Sequence, residues 1–219
     1  MIYVYAIGEA ARTALPPGQP GLGGARLRLT TCGDIAAVYS RHRTLRPQPA
    51  PRTMWSHEAV VERLMRRAAV LPLRFGTMLG DEQALRAILA QRHDELIQGL
   101  ERVRGRVELS LRVLRRADQP RPPEHDSGRA YLLARREAHR RAERAAREVH
   151  EPLATLARDV RLRAPAPPPA LLLAAYLLDE PQVETFKARV VALAAGRDDL
   201  SIVGTGPWPP YSFVPELAP

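Results

Sequence analysis

The chain has 219 residues, 45% hydrophobic and 26% charged, which suits one large domain or two small ones and argues against wholesale disorder. Its formal charge is +9, but the basic residues are spread along the chain among Glu and Asp and do not gather into the patch that nucleic-acid binding calls for. The single cysteine, Cys32, rules out an intramolecular disulfide and any metal site built on several thiolates.

Aromatic residues make up only 5%, so the cores must be built mainly from Ala, Leu and Val. Lys187 is the only lysine, and the arginine bias reads as genome composition as much as function. Met1–Tyr5 lacks the basic start and long apolar run of a signal peptide. The longest apolar stretch, 170–178, falls far short of the roughly 20 residues of a membrane helix. A soluble, cytoplasmic protein without a cofactor is expected.

Residues 2–7 alternate aromatic and aliphatic side chains and predict a first strand ended by Gly8. Leu15 to Gly24 is rich in Pro and Gly, but its glycines do not fit a phosphate-binding loop, and a strand-like run follows where a helix N-terminus would be needed. It reads as a surface loop. Runs at 26–31 and 34–40, joined at Cys32-Gly33, predict a hairpin. After a proline-rich connector at 46–51, a helix is expected from Thr53 or Ser56, with Val60, Val61, Leu64, Met65 and Ala68 on its buried side. Val70 to Gly76 is extended and apolar, and Pro72 assigns it to a sheet edge. Asp81 caps a further helix carrying Leu85, Ile88, Leu89, Leu96 and Leu100.

From Arg102 the pattern restarts. Val103, Val107, Leu109, Leu111 and Val113 come mostly at period two and predict a half-exposed strand. A polar loop at 119–127 leads into a long helix, 129–160, whose stripe begins with Ala134, Ala138, Ala142 and Ala145 and which Pro152 should kink or split. Past a proline-rich break at 164–169, residues 170–178 predict a central strand, 180–195 a helix closed by Gly196, and 200–205 a last strand. The fold class expected is α+β in two domains: a small N-terminal α/β domain at 1–102, and a ferredoxin-like domain at 103–219 with a long kinked helix and a Pro-rich C-terminal segment.

No catalytic constellation emerges. His139, Glu143 and His150 share a helix face, but eleven residues span about 16 Å of axis, too far for one metal ion. No serine sits in a nucleophile elbow, and Cys32 lies at a presumed turn with no paired His. The carboxylates fall on helix faces among arginines, where a solvated network is the plain reading.

Three segments in order along the chain are His57-Glu-Ala-Val-Val-Glu62 with Val70-Leu-Pro-Leu-Arg-Phe-Gly-Thr77, then Ser127-Gly-Arg-Ala-Tyr-Leu-Leu-Ala-Arg135, then Gly206-Pro-Trp-Pro-Pro-Tyr-Ser-Phe213. Together they resemble the gas vesicle accessory protein family GvpF/GvpL, the last segment most specifically. The resemblance implies a non-enzymatic accessory or assembly factor acting through protein–protein interaction with the shell protein GvpA and other accessory proteins. On it, Leu73, Arg74, Phe75, Trp208 and Tyr211 are candidate partner-binding residues. The apolar 71–75 run can equally be core, and Gly206–Phe213 can be a stiff extended clasp that presses its aromatics onto the body. The rival reading is a basic ferredoxin-like RNA-binding module, which would need exposed aromatics on its sheet.

Overall fold

The computed structural model describes residues 1–44, 47–116, 128–163 and 170–215. The proline-rich connectors expected at 119–127 and 164–169 lie outside these residues, as do Leu45, Arg46 and the last four positions. The chain divides into two compact units, 1–106 with 209–219, and 107–208. The expected boundary fell at 102–103, with the C-terminal segment in the second domain; here residues 209–219 group with the first unit, while Gly206–Trp208 stay with the second.

The first unit is built on β1 (Ile2–Glu9), β2 (Leu27–Cys32), β3 (Ile35–Arg41), β4 (Val70–Pro72) and β5 (Met78–Leu79). The sheet order is β2-β3-β1-β4, with β5 also paired to β1. β1 is covered on both faces, and seven of its eight residues are buried. Alternation sends its side chains to two separate cores. Ile2, Val4 and Ile7 join Leu85, Leu89, Leu96 and Leu100 from helices α2 (Glu82–Gln91) and α3 (His93–Val103). Tyr3, Tyr5 and Ala6 join Val60, Val61 and Leu64 from helix α1 (Pro51–Met65), together with Leu22 of the glycine-rich loop. The register slips between Val4 and Ala6, so Tyr5 is the extra residue of a β-bulge. That slip lets Tyr3, Tyr5 and Ala6 all face one core.

Pro72 is on an edge strand, as its missing N–H requires. α1 starts earlier than expected, with Pro51 as its first helical residue. Ala50 has no side-chain acceptor, and Thr53 compensates from inside the helix by accepting the Ala50 N–H at 3.1 Å. The single helix expected after Asp81 is two, broken at Arg92, which leaves helical geometry with φ −110°. α3 lies close on β4 because Gly99 has no Cβ; one built there would sit 3.2 Å from Leu71.

The second unit runs β6 (Arg106–Arg115), α4 (Gly128–Ala154), β7 (Asp159–Leu162), β8 (Ala170–Asp179), α5 (Val183–Ala194) and β9 (Leu200–Trp208). The spatial order β7-β8-β6-β9 puts the first strand between the third and fourth, which is the ferredoxin-like arrangement. β8 is central, as its continuous apolar run required. The long helix ends at Ala154, and Val160 belongs to β7, not to the helix. Pro152 therefore sits in the last turn, so the donor it lacks toward Glu148 O interrupts the helix only two residues before its end. β9 extends three residues further than expected, and Trp208 lies opposite Glu108.

Candidate functional site

Gly206–Phe213 is not one extended strip. Gly206 to Trp208 finish β9 as a bulged edge, since three steps on β9 from Thr205 to Trp208 match two on β6 from Ser110 to Glu108. Pro209 and Pro210 are then buried, and Tyr211–Phe213 form a 3₁₀ turn. Phe213 is buried, Tyr211 is half-buried, and Trp208 is 42% exposed.

Tyr211 joins a polar–aromatic cluster in the first unit. β1 supplies Tyr3 and Tyr5, α1 supplies His57 and Glu58, and the turn after β4 supplies Phe75. The His57 ring lies 5.6 Å from both Tyr3 and Tyr5, stacked on the latter, 6.0 Å from Phe75 and 6.3 Å from Tyr211. The hydrogen bonds define one tautomer. Leu73 O can only accept, so His57 donates from Nε2 at 3.0 Å. Nδ1 then accepts from the Tyr3 hydroxyl at 2.9 Å, and that hydroxyl accepts the Gly76 N–H at 3.1 Å. Burial pushes the His57 pKa down to about 4, so the ring is neutral at physiological pH.

The Tyr5 hydroxyl accepts the Leu22 N–H at 2.6 Å and shares a 2.9 Å bond with Ser40 Oγ, tying the glycine-rich loop to the sheet. Ser40 Oγ also lies 2.8 Å from His42 Nε2. This is a hydroxyl–imidazole contact, but Ser40 is fully buried and no substrate can reach its oxygen. The whole cluster acts as a brace, tying α1, β1, the β4 turn and the C-terminal turn together.

The candidate metal residues are not brought together. His139 pairs with Glu143 at 3.2 Å on the surface, whereas His150 turns to Tyr176 Oη at 2.8 Å. No group of three metal-ligating side chains occurs among the described residues. Cys32 ends β2, half-buried against the core.

The five residues singled out for partner binding separate into two sets. Leu73 is core, and its N–H donates to Tyr5 O at 2.8 Å. Phe75 and Tyr211 are half-buried in the cluster. Arg74 and Trp208 face solvent. Sequence reasoning passed over Trp55, which is 74% exposed on α1 beside the exposed Met54. The signal was available for Trp55, which lies on the side of the helix away from the buried stripe of His57, Val60, Val61 and Leu64.

The chain matches the family model described as "Gas vesicle synthesis protein GvpL/GvpF" over residues 1–215. It belongs to the GvpL/GvpF family of gas vesicle proteins, an accessory family and not a known class of enzyme. Gas vesicle protein L of Streptomyces sp. (strain CB03234) is 31% identical, covering 96% of this chain and 91% of that protein. Gas vesicle protein F2 of Halobacterium salinarum is 26% identical, covering 88% and 82%. The crystal structure of gas vesicle protein GvpF from Anabaena sp. PCC7120 superposes with a TM-score of 0.82 at 21% identity, over 97% of this chain and 94% of that one. GvpF from Microcystis aeruginosa gives 0.79 at 20% identity, over 97% and 98%. The α+β fold is thus shared with known GvpF structures.

Proposed function

We propose that this chain is a non-enzymatic accessory protein that binds the shell protein GvpA and other accessory proteins at gas vesicles forming in the cytoplasm. The observation that carries this reading is the exposure of Trp55, with Met54 beside it, in a member of a gas vesicle family. The chain has only two tryptophans, and Trp55 and Trp208 both present a face to water. Tryptophan is enriched among the residues that dominate binding at protein interfaces. A shell subunit with one strongly apolar face needs such cover before it assembles. Arg74 adds a polar contact on the first unit. The RNA-binding alternative finds no support in β8, whose Tyr176 is fully buried against Phe186.

Co-expression with GvpA, followed by affinity capture of this chain, tests the reading. GvpA should co-purify, and Trp55→Ala, Trp208→Ala and Arg74→Ala should each reduce its recovery. Capture of the wild-type chain without GvpA would overturn it.

No helix among the described residues is long and apolar enough to cross a membrane.

A further inference from the structure

α4 is long, but little of it is needed by its own unit. Between Arg129 and Glu148 no side chain is buried, and the first that is, Val149, lies in the second half of the helix. Ala134, Ala138, Ala142 and Ala145 are only half-covered. The exposed part is nonetheless a good helix former, rich in Ala, Arg and Glu.

Its outward face has a regular charge pattern. Arg129, Arg136, Arg140 and Arg147 recur at steps of seven, four and seven, which keeps them in one stripe about 27 Å long. All four are exposed, as is Arg144 beside them, and no ion pair engages any of the five among the described residues. Arg136, Arg140 and Arg144 stand at successive i, i+4 positions, where like charges destabilise a helix. An anionic partner along this stripe would remove that repulsion.

The kind of anion is narrowed by the neighbours. Glu143 and Glu151 border the stripe and would repel a continuous polyphosphate backbone. At the start of the helix, Leu132 and Leu133 are each more than half exposed, and a phosphate chain gains nothing from them. A protein helix carrying carboxylates at the matching spacing, with apolar side chains at one end, satisfies both features. We propose that the exposed face of α4 docks an acidic amphipathic helix of a partner protein, independently of whether GvpA is bound elsewhere.

The test uses the full chain and a fluorescently labelled synthetic helix of roughly 20 residues, enough to span the stripe. The probe bears Glu at seven- and four-residue steps and Leu near one end. Anisotropy should report binding that weakens with added salt. Arg136→Glu/Arg140→Glu/Arg147→Glu should lose at least about tenfold in affinity while keeping the wild-type circular dichroism spectrum, and Leu132→Ser/Leu133→Ser should lose a smaller factor. A Glu-only probe should bind more weakly than the amphipathic one. Three results would each overturn the proposal: no binding of the peptide, tighter binding of a single-stranded oligonucleotide of equal charge, or tighter binding to anionic phosphatidylglycerol vesicles.

Discussion

Tyr211 donates a 2.8 Å hydrogen bond to Glu58 Oε2, linking positions 153 apart in the chain. Glu58 Oε1 is buried without a partner, and burial holds the Glu58 carboxyl above its ordinary pKa. The Tyr211 hydroxyl is pushed well up, by burial first and then by the Glu58 charge. The tyrosine is therefore neutral and a reliable donor, while the carboxylate is poorly solvated.

Substitutions at this pair should behave asymmetrically. Tyr211→Phe leaves both carboxylate oxygens without a donor and should cost about 1–3 kcal/mol. Glu58→Gln keeps an acceptor for Tyr211 and removes a poorly hydrated charge, so stability at neutral pH should be unchanged or higher. The sign follows from the raised pKa: folding favours the protonated acid, and that contribution is lost as pH rises through the folded value. Glu58→Gln should abolish this loss. Thermal melts of both variants at pH 5 and pH 7 check the pair, and a Glu58→Gln protein clearly weaker at both would contradict it.

His57 should make the fold acid-sensitive in the opposite direction. Its folded pKa of about 4 lies below the unfolded 6.5. The stabilisation is complete above pH 6.5 and is lost as pH falls toward 4, by up to about 3 kcal/mol. His57→Gln should flatten this slope, with a residual contribution from His42 and His150, which burial also lowers. It should also lower neutral-pH stability by about 2 kcal/mol, through the disturbed Tyr3 and Leu73 partners. Urea midpoints at pH 7 and 4.5 measure both effects.

Gly206 holds φ at +118°, a region that side chains rarely enter, and a Cβ there would lie 2.8 Å from Glu108 O. Gly206→Ala should cost about 2 kcal/mol or more, combining strain with a displaced strand end. Trp208 fluorescence should shift with it. A variant as stable as the wild type, with an unchanged spectrum, would show that the bulge tolerates a side chain.

Asp81 Oδ1 accepts the Ala84 N–H at 2.8 Å and caps α2. Asp81→Ala should cost about 1 kcal/mol and Asp81→Asn much less, read from the shift in the denaturation midpoint.

Much of this architecture is legible in the sequence, and the misses have physical causes. Alternation revealed β1 and β6, and Pro72 revealed the sheet edge, because each signal is local. The break at Arg92 was invisible because Leu89 and Leu96 are seven residues apart, which keeps the helical phase across the interruption. Val160 read as helix for the same reason: Leu153, Leu156 and Val160 keep steps of three and four after the helix has ended. The brace around His57 was not legible at all, since its members come from four distant segments. Trp55 could be seen in sequence, but its exposure is informative only once the stripe beside it is known to be buried.

The pieces of the first unit are not contiguous in the chain: residues 107–208 intervene before 209–215 complete it. A ribosome therefore delivers the whole ferredoxin-like unit before it delivers the tyrosine that Glu58 awaits. The N-terminal sheet can form early, but the Tyr211–Glu58 hydrogen bond of the same unit can form only after residues 107–208 have been made. A chain cut after β9 would leave Glu58 buried without its Tyr211 donor, so residues 1–106 alone do not supply every partner this unit uses.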